Sequence, residues 1–238
     1  MRETQRLDKI ISNCGLGTRR EIKGFVRAGR VLVNGVVAKS PEMHINPYED
    51  TIKIDGEEIE YKKYIYLMMN KPSGVITALK DKKDKTVFDI LPEFYKQFEL
   101  SPAGRLDKDT QGLLILTNDG ESIHELLSPK KHVDKTYYAK LRQDVKEEDF
   151  SKVEEGIDIG DYVTLPAKLE RIAEAEVYIT IHEGKFHQVK RMFEALDNKV
   201  EFLKRMSMGS LKLDTDLQLG EVRELTEEEI KTLLGNNF

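Results

Sequence analysis

An acidic residue stands between a glycine and an apolar run in the segment 104–120. The segment has the sequence GRLDKDTQGLLILTNDG, and Asp107 is its first acid. Gly104 permits tight backbone geometry, and the apolar run that starts at Leu113 is typical of a buried strand. A carboxylate held on such a rigid element can act as a nucleophile or as a general base. An aspartate near a turn can also form an Asx turn or cap a helix, and the neighbouring residues leave both interpretations open.

Two further segments combine polar side chains with regular patterns. A strand-like run begins at Lys135, and its alternation places Tyr137 and Tyr138 on opposite faces. One of these rings can therefore pack in the core while the other faces a pocket. The segment 183–192, EGKFHQVKRM, contains two adjacent cations, Lys190 and Arg191. Either cation can pair with a carboxylate or contact a phosphate.

Together these three segments resemble the motifs of the pseudouridine synthases, in particular of the branch that modifies small-subunit ribosomal RNA. The resemblance implies that Asp107 is the catalytic residue and that Tyr137, directly after a Lys-Thr pair, stacks on the target uracil. It also implies that a basic residue after Gln-Val pairs with the catalytic aspartate. This chain has Lys190 there instead of arginine, which preserves the charge but not the bidentate fork. Arg191 is the alternative partner.

The implied reaction detaches uracil from the ribose at N1 and rejoins it through C5, after the base has left its stack. A lone carboxylate can suffice for this chemistry, so no metal or other cofactor is expected. The sequence does not distinguish attack on the sugar carbon, attack on the pyrimidine ring, or removal of a sugar proton. Arg105 and Arg191 are expected to contact the substrate RNA.

Metal-binding patterns are weak in this sequence. His182 and His187 are five residues apart with Gly184 between them, whereas two zinc ligands on one helix need a spacing of four. Asp107 and Asp109 match an Asp-x-Asp metal pattern, which is too short to be specific. We therefore expect no metal site.

The overall composition conceals an uneven distribution of charge. The 238 residues carry a net charge of −5, yet the first 40 residues hold nine Lys and Arg against three Asp and Glu. One cysteine, Cys14, excludes an internal disulfide and a multi-cysteine metal site. Because the sequence has neither a membrane-length apolar run nor a signal peptide, we expect a soluble, cytoplasmic protein.

The basic N-terminal region has the pattern of a compact unit. Apolar residues at positions 7, 10, 11 and 14 form one face of a helix. Thr18 and Glu21 then predict a capping box at the start of a second helix. Asn34 and Gly35 between β-branched residues predict a hairpin, and 50–54 predicts a further strand.

Cations recur along the second helix at i, i+3, i+7 and i+10, which predicts one positively charged face: Arg20, Lys23, Arg27 and Arg30. Two helices followed by a hairpin with Val-Asn-Gly resemble the S4 RNA-binding module. The resemblance implies that these four residues and Arg19 contact phosphates, which would anchor the protein on RNA without selecting a sequence. A solvated helix face without a partner is the alternative.

These patterns predict an α+β protein with two domains. An S4-like domain spans 1–60, a linker 61–63, and a pseudouridine synthase domain 64–238. Strand-like runs begin near residues 64, 74, 113, 136, 177, 200 and 211, and helical patterns begin near 121, 147, 189 and 227. The larger domain is therefore expected to have a mainly antiparallel sheet flanked by helices.

The leading functional hypothesis is an rRNA pseudouridine synthase of small-subunit 16S rRNA, where the resembled family's usual target is uridine 516. His187 and Gln188 favour this branch. The alternatives are a large-subunit rRNA pseudouridine synthase, a non-catalytic S4-type factor in ribosome assembly, and a glycoside hydrolase, for which no second carboxylate stands out. We expect 16S rRNA or a small-subunit assembly intermediate as the partner, no membrane association, and a monomer.

Overall fold

The computed structural model describes residues 4–128 and 132–235, which form two compact units. One unit comprises Met1–Ile65 with Pro92–Leu100, and the other comprises Tyr66–Leu91 with Ser101–Phe238. Both units contain helices and strands, which confirms the predicted α+β class. Over the described ranges, no helix has the length and apolar character needed to cross a bilayer.

Short elements make up the first unit. The helices are α1 (Leu7–Asn13), α2 (Arg19–Arg27) and α3 (Glu93–Lys96). The strands are β1 (Gln5–Arg6), β2 (Val31–Val33), β3 (Val36–Val37), β4 (His44–Ile45), β5 (Ile52–Ile54) and β6 (Glu57–Glu58). An antiparallel sheet has the order β3-β2-β5-β6, and β1 pairs separately with β4.

The predicted apolar face of α1 is buried in the core of the first unit. Leu7, Ile10 and Ile11 have no exposed surface, and they belong to one cluster with Ile22 of α2 and Val31 of β2. Burial of such side chains stabilises the fold by about 1.5–3 kcal/mol each. The apolar spacing along α1 therefore does determine which side of the helix meets the core.

Local backbone signals in the first unit also behave as predicted. The Thr18 side chain accepts a hydrogen bond from the backbone N–H of Glu21, whose carboxylate accepts from the Thr18 N–H, so the capping box is formed. Asn34 and Gly35 both have left-handed backbone conformations, with φ of 51° and 79°. Two such residues in succession give the tight turn that joins β2 to β3.

Arg30 does not continue the basic face of α2, contrary to the prediction. The helix ends at Arg27, and Gly29 has a φ of +69°, so the chain leaves the helix before Arg30. The Nε of Arg30 donates to Asp55 at 2.8 Å, and its guanidinium lies 4.3 Å from the centre of the Phe25 ring. The spacing of cations gave a wrong position for Arg30, because helical periodicity does not continue past the glycine that ends the helix.

The second unit contains longer elements. Its helices are α4 (Gly120–Leu127), α5 (Glu147–Glu155), α6 (Gln188–Ala195) and α7 (Glu227–Leu234). Its strands are β7 (Tyr66–Lys71), β8 (Ser101–Pro102), β9 (Gln111–Thr117), β10 (Lys135–Leu141), β11 (Lys168–Ala173), β12 (Glu176–Ile181), β13 (Val200–Met208), β14 (Leu211–Lys212) and β15 (Val222–Glu224).

One large sheet organises the second unit, with the order β11-β12-β10-β13-β9-β7-β15. Strands β14 and β8 pair with β13 and β9, respectively. All pairs are antiparallel except β13 with β9, which confirms the expected mainly antiparallel sheet. Nearly all residues of β7 and β9 are buried, as continuous apolar runs in central strands require.

Several details of the second unit differ from the sequence prediction, among them the short strands β8 and β15, which were not predicted. The run 74–77 is not a strand, because Gly74 has a φ of +90° and only Ile76 forms an isolated bridge, to Thr86. Strand β11 was not predicted from the sequence. It lies at an edge of the sheet and most of its residues are exposed, so it lacks the apolar alternation by which strands are recognised.

Candidate active site

Hydrogen bonds on both sides fix the loop that carries Asp107, between β8 and β9. The N–H of Leu106 donates to Thr77 Oγ1 at 3.1 Å, and that hydroxyl donates to the Leu106 carbonyl at 2.9 Å. After the acid, the N–H of Thr110 donates to the carbonyl of Asp107 at 3.1 Å. The Asp107 side chain itself is 28% exposed. A rigid loop therefore presents an accessible carboxylate.

Lys71, the last residue of β7, holds the same loop by hydrogen bonds to its carbonyl oxygens. Its Nζ donates to the carbonyl oxygens of Asp107 at 3.0 Å, Thr110 at 2.9 Å and Pro72 at 3.1 Å. The side chain is completely buried, and burial lowers the pKa of Lys71 to about 8, opposed by the negative charges of Asp109 and Asp107. Sequence reasoning missed this residue, although a lysine at the end of an otherwise apolar strand is a detectable signal.

Lys190 and His187 face the Asp107 carboxylate from the start of α6. Lys190 Nζ lies 3.3 Å from one carboxylate oxygen of Asp107, and His187 Nε2 lies 3.5 Å from the other. Lys190 also donates to Asp109 at 2.6 Å. Burial raises the pKa of Asp109, but the hydrogen bond and charge of Lys190 outweigh this effect and hold that pKa below its usual value.

Arg191 points elsewhere, although it is adjacent to Lys190 in the sequence. Its Nη2 donates to the carbonyl of Ile159 at 2.6 Å, and the same guanidinium pairs with Asp161. Successive helical residues are about 100° apart around the axis, so neighbouring side chains cannot both reach one carboxylate. Of the two cations left open by the sequence, Lys190 is the one beside Asp107.

The carboxylate of Asp107 lines a cavity of about 670 Å³ within the second unit. This volume lies in the range of pockets that enclose small ligands, about 300–1,000 Å³. The cavity wall combines charged, aromatic and imidazole side chains, among them Arg105, Lys135, Tyr137, His187 and Arg205. Arg105 is exposed there. The cavity therefore offers both an aromatic surface and several donors to a polar ligand.

Tyr137 takes the cavity side of β10, and Tyr138 takes the other side. Tyr137 is 7% exposed and stands directly opposite Arg205 of β13. The hydroxyl of Tyr138 donates to Glu176 at 2.6 Å, and its ring packs edge-on against Phe202. Strand alternation thus predicted correctly that the two rings separate. It could not predict which of them would meet the cavity.

A glycine allows β9 and β13 to approach each other closely beside this cavity. Gly112 has a φ of +101°, and a Cβ at this position would lie 2.2 Å from the carbonyl oxygen of Arg205. Gly112 also pairs with Arg205 in the parallel contact between the two strands. The glycine therefore sets the position of the strand that carries Arg205.

The five basic residues predicted to contact RNA have different surroundings in the first unit. Arg19, Arg20 and Arg27 are exposed on α2. Lys23 is half-buried and lies 3.7 Å from Glu42, and Arg30 is paired with Asp55. Acidic neighbours thus partly neutralise two of the five cations. The strongest candidates for phosphate contacts are therefore the three arginines of α2.

No metal cluster is formed by the described side chains: within 4–128 and 132–235, no three His, Cys, Asp or Glu residues converge as metal ligands would. His182 Nδ1 lies 2.7 Å from Asp134 Oδ1, whereas His187 faces Asp107. The two histidines therefore contact different carboxylates and do not share a ligand site.

Two family profiles match the chain. The S4 domain matches residues 5–50, and the RNA pseudouridylate synthase family matches residues 65–195. The second match covers more than half of the chain and includes Asp107, Tyr137 and Lys190. The chain therefore belongs to the RNA pseudouridine synthases, a class of isomerases, and its S4 domain implies RNA binding. Both resemblances seen in the sequence are confirmed, and the alternatives of a non-catalytic factor and a glycoside hydrolase are not supported.

More narrowly, the chain is similar over 96% of its length to synthases of both ribosomal subunits. It is 49% identical to an uncharacterized RNA pseudouridine synthase of Bacillus subtilis, covering 98% of that protein. It is 42% identical to the ribosomal small subunit pseudouridine synthase A of Vibrio cholerae, covering 99% of it. The ribosomal large subunit pseudouridine synthase B of Bacillus subtilis is 38% identical, with 95% covered. A crystal structure of a pseudouridylate synthase superimposes with a TM-score of 0.68 at 39% identity, covering 96% of this chain and 99% of that one.

Proposed function

We propose that this synthase converts one uridine of small-subunit 16S rRNA, the position equivalent to uridine 516, to pseudouridine with Asp107 as the catalytic residue. One observation carries the proposal: the Asp107 carboxylate lies between Lys190 and His187 and lines the cavity that Tyr137 also lines. The similarity to a small subunit synthase of Vibrio cholerae supports the choice of RNA.

In this proposal the residues around Asp107 have distinct tasks. Asp107 acts as the nucleophile or base that starts the separation of uracil from ribose. Lys190 compensates the charge of the carboxylate and fixes its direction, while Tyr137 offers a ring on which the flipped uracil stacks. Arg105 contacts RNA at the edge of the site, whereas Arg191, for which the sequence predicted the same task, is held by Asp161 and the carbonyl of Ile159 away from the cavity wall. Residues 64–238, without the segment Pro92–Leu100 that belongs to the first unit, form the catalytic domain, and residues 1–60 form the domain that anchors RNA.

The choice between ribosomal subunits has a direct test. In cells that lack this protein, we expect one pseudouridine to disappear from 16S rRNA, at the position equivalent to uridine 516, and to return when the wild-type gene is restored. Chemical mapping of pseudouridines over both rRNAs provides the measurement. Loss of a large-subunit pseudouridine with 16S rRNA unchanged would instead favour the alternative supported by similarity to a large subunit synthase. Naked 16S RNA and assembly intermediates, tested with the purified protein, then identify the substrate form.

The exposed arginines of α2 predict an electrostatic contribution to RNA binding. Replacing Arg19, Arg20 and Arg27 by glutamine should weaken binding and reduce its dependence on salt, because each lost phosphate contact removes about 0.7–0.9 from the logarithmic salt slope. The measurement is a set of equilibrium titrations at several salt concentrations.

A matched control removes the same amount of charge elsewhere. Lys140, Lys152 and Lys168 each pair with a glutamate in the second unit, and their replacement by glutamine should leave the salt slope near its wild-type value. Equal effects of the two triple variants would mean that α2 is not the RNA-anchoring surface.

A further inference from the structure

Two buried cations line the cavity beside Tyr137. Arg205 is 1% exposed and Lys135 is 9% exposed. Arg205 stands directly opposite Tyr137 in the pairing of β13 with β10, and Lys135 precedes Tyr137 by two residues on its strand. Directly paired strand residues share a face, as do residues two apart on one strand. Both cations therefore share the sheet face that carries the Tyr137 ring.

Among the residues that the structure describes, no carboxylate forms an ion pair with either cation. Arg205 Nε donates to the carbonyl of Leu113 at 2.7 Å, and Lys135 Nζ donates to the carbonyl of Val133 at 2.8 Å. Within the described ranges, neither residue forms an ion pair, and Arg205 Nη2 has no hydrogen-bond partner. Burial lowers the pKa of Lys135, and the positive charge of Arg205 lowers it further, opposed by Asp134. Two like charges thus lie close to each other in a poorly solvated place.

This arrangement of two buried cations is unfavourable unless a negatively charged group binds beside them. A buried charge without a partner is strongly destabilising, and an unpaired buried donor loses its hydrogen bond to water without replacement. The carboxylate of Asp107 is already held between Lys190 and His187. The missing partner is therefore expected to come from a ligand in the cavity.

We propose that Arg205 and Lys135 form an anion subsite that binds a negatively charged oxygen of the target nucleotide. The inference rests on the proposed function, because it takes the flipped uridine as the occupant of the cavity. Its position beside Tyr137 favours a carbonyl oxygen of the uracil, since a base stacked on that ring would bring its polar edge towards the neighbouring side chains. A phosphate oxygen next to the flipped nucleotide offers the same chemistry.

The reaction gives the uracil oxygens the required charge. When the bond from N1 to C1′ breaks, its electron pair stays with the base, and the negative charge spreads over N1 and the two carbonyl oxygens. The bond from C5 to C1′ then forms, C5 releases its proton, and N1 takes one up. Donors placed on a developing oxyanion accelerate a reaction more than they strengthen ground-state binding.

The first part of the test changes the enzyme. The substrate is an RNA fragment containing the uridine that mapping identifies, and the readouts are the single-turnover rate of tritium release and the dissociation constant. Arg205→Met should slow the reaction by about 100-fold, and Arg205→Lys less, because lysine keeps the charge. Lys135→Met should slow it by roughly tenfold. Lys204→Met is the matched control, because Lys204 adjoins Arg205 on the other face of β13 and does not line the cavity.

The second part changes the substrate and identifies the oxygen. If a uracil oxygen is bound, replacing that oxygen, O2 or O4, by sulfur should strongly lower the reaction rate of the wild-type enzyme. The same replacement should lower the rate of the Arg205→Met or Lys135→Met variant only a little further. If a phosphate is bound, a neutral methylphosphonate beside the target should weaken binding by wild type but not by these variants. Because Lys135→Met and the substrate series do not depend on Arg205→Met folding, the test remains decisive if that variant is unstable.

The subsite and the proposed function can fail separately. Absence of pseudouridine formation by wild-type enzyme on any small-subunit substrate would overturn the proposed function. An active wild type whose folded Arg205→Met and Lys135→Met variants match it in rate and affinity would overturn the subsite alone. Each substrate change can also be compared between wild type and the Arg205→Met and Lys135→Met variants. If every substrate change had the same effect in wild type and in both variants, the effects would be additive, and this result would also overturn the subsite.

Discussion

Replacing Asp107 by asparagine should lower pseudouridine formation by at least about a thousandfold while RNA affinity stays within about twofold of wild type. Asparagine has nearly the same shape as aspartate, but its neutral amide is neither a nucleophile nor a base at neutral pH. The measurements are tritium release from RNA labelled at C5 of uridine and a filter-binding titration of the same RNA. The effect is expected on the rate rather than on binding because the anchoring arginines are on α2, in the other unit.

The fold should tolerate this substitution. Lys190 keeps a second acidic partner, since its Nζ donates to Asp109 at 2.6 Å. The loop is held through the backbone of Asp107, whose carbonyl accepts from Lys71 and Thr110, and asparagine retains that backbone. Thermal unfolding of Asp107→Asn should therefore resemble that of wild type.

Asp109→Asn is the control for a general loss of negative charge. Asp109 contacts the same lysine but its side chain is 69% exposed and does not line the cavity. We expect this variant to retain most of its activity. Substantial activity of Asp107→Asn, or a loss confined to Asp109→Asn, would show that the wrong carboxylate has been proposed.

Replacing Gly112 by alanine should have the largest effect on stability, at least about 3 kcal/mol of unfolding free energy. The new methyl group would lie 2.2 Å from the carbonyl oxygen and 2.7 Å from the nitrogen of Arg205, and both are backbone atoms that cannot rotate away. The φ of +101° adds a conformational penalty for any residue with a Cβ. Denaturant unfolding followed by far-UV circular dichroism provides the measurement.

Gly120→Ala is the matched control for this second prediction. Gly120 is the first residue of α4, and a Cβ there would have nothing within 4 Å. Its replacement should change the unfolding free energy by no more than about 1 kcal/mol, since alanine favours helices. Similar losses for both variants would mean that the close approach of β9 and β13 does not limit stability.

The sequence by itself determined the elements whose signals are local. The apolar face of α1, the capping box at Thr18 and the tight turn at Gly35 all follow from interactions between residues a few positions apart. Such interactions form whenever the segment takes up its own secondary structure, so they can be recognised without knowing the fold. The motif segments around Asp107, Tyr137 and Lys190 likewise identified the family before any contact was known.

Only the tertiary structure decided which side chains meet. Lys190 rather than Arg191 lies beside Asp107 because the rotation of α6 points one cation towards the loop and the other towards Asp161. Lys71 reaches the Asp107 loop, and Arg205 faces Tyr137, across strand pairings between residues far apart in the chain. These contacts depend on the register between strands and on the face of the sheet to which each side chain points. Neither can be deduced from the spacing of residues along the sequence.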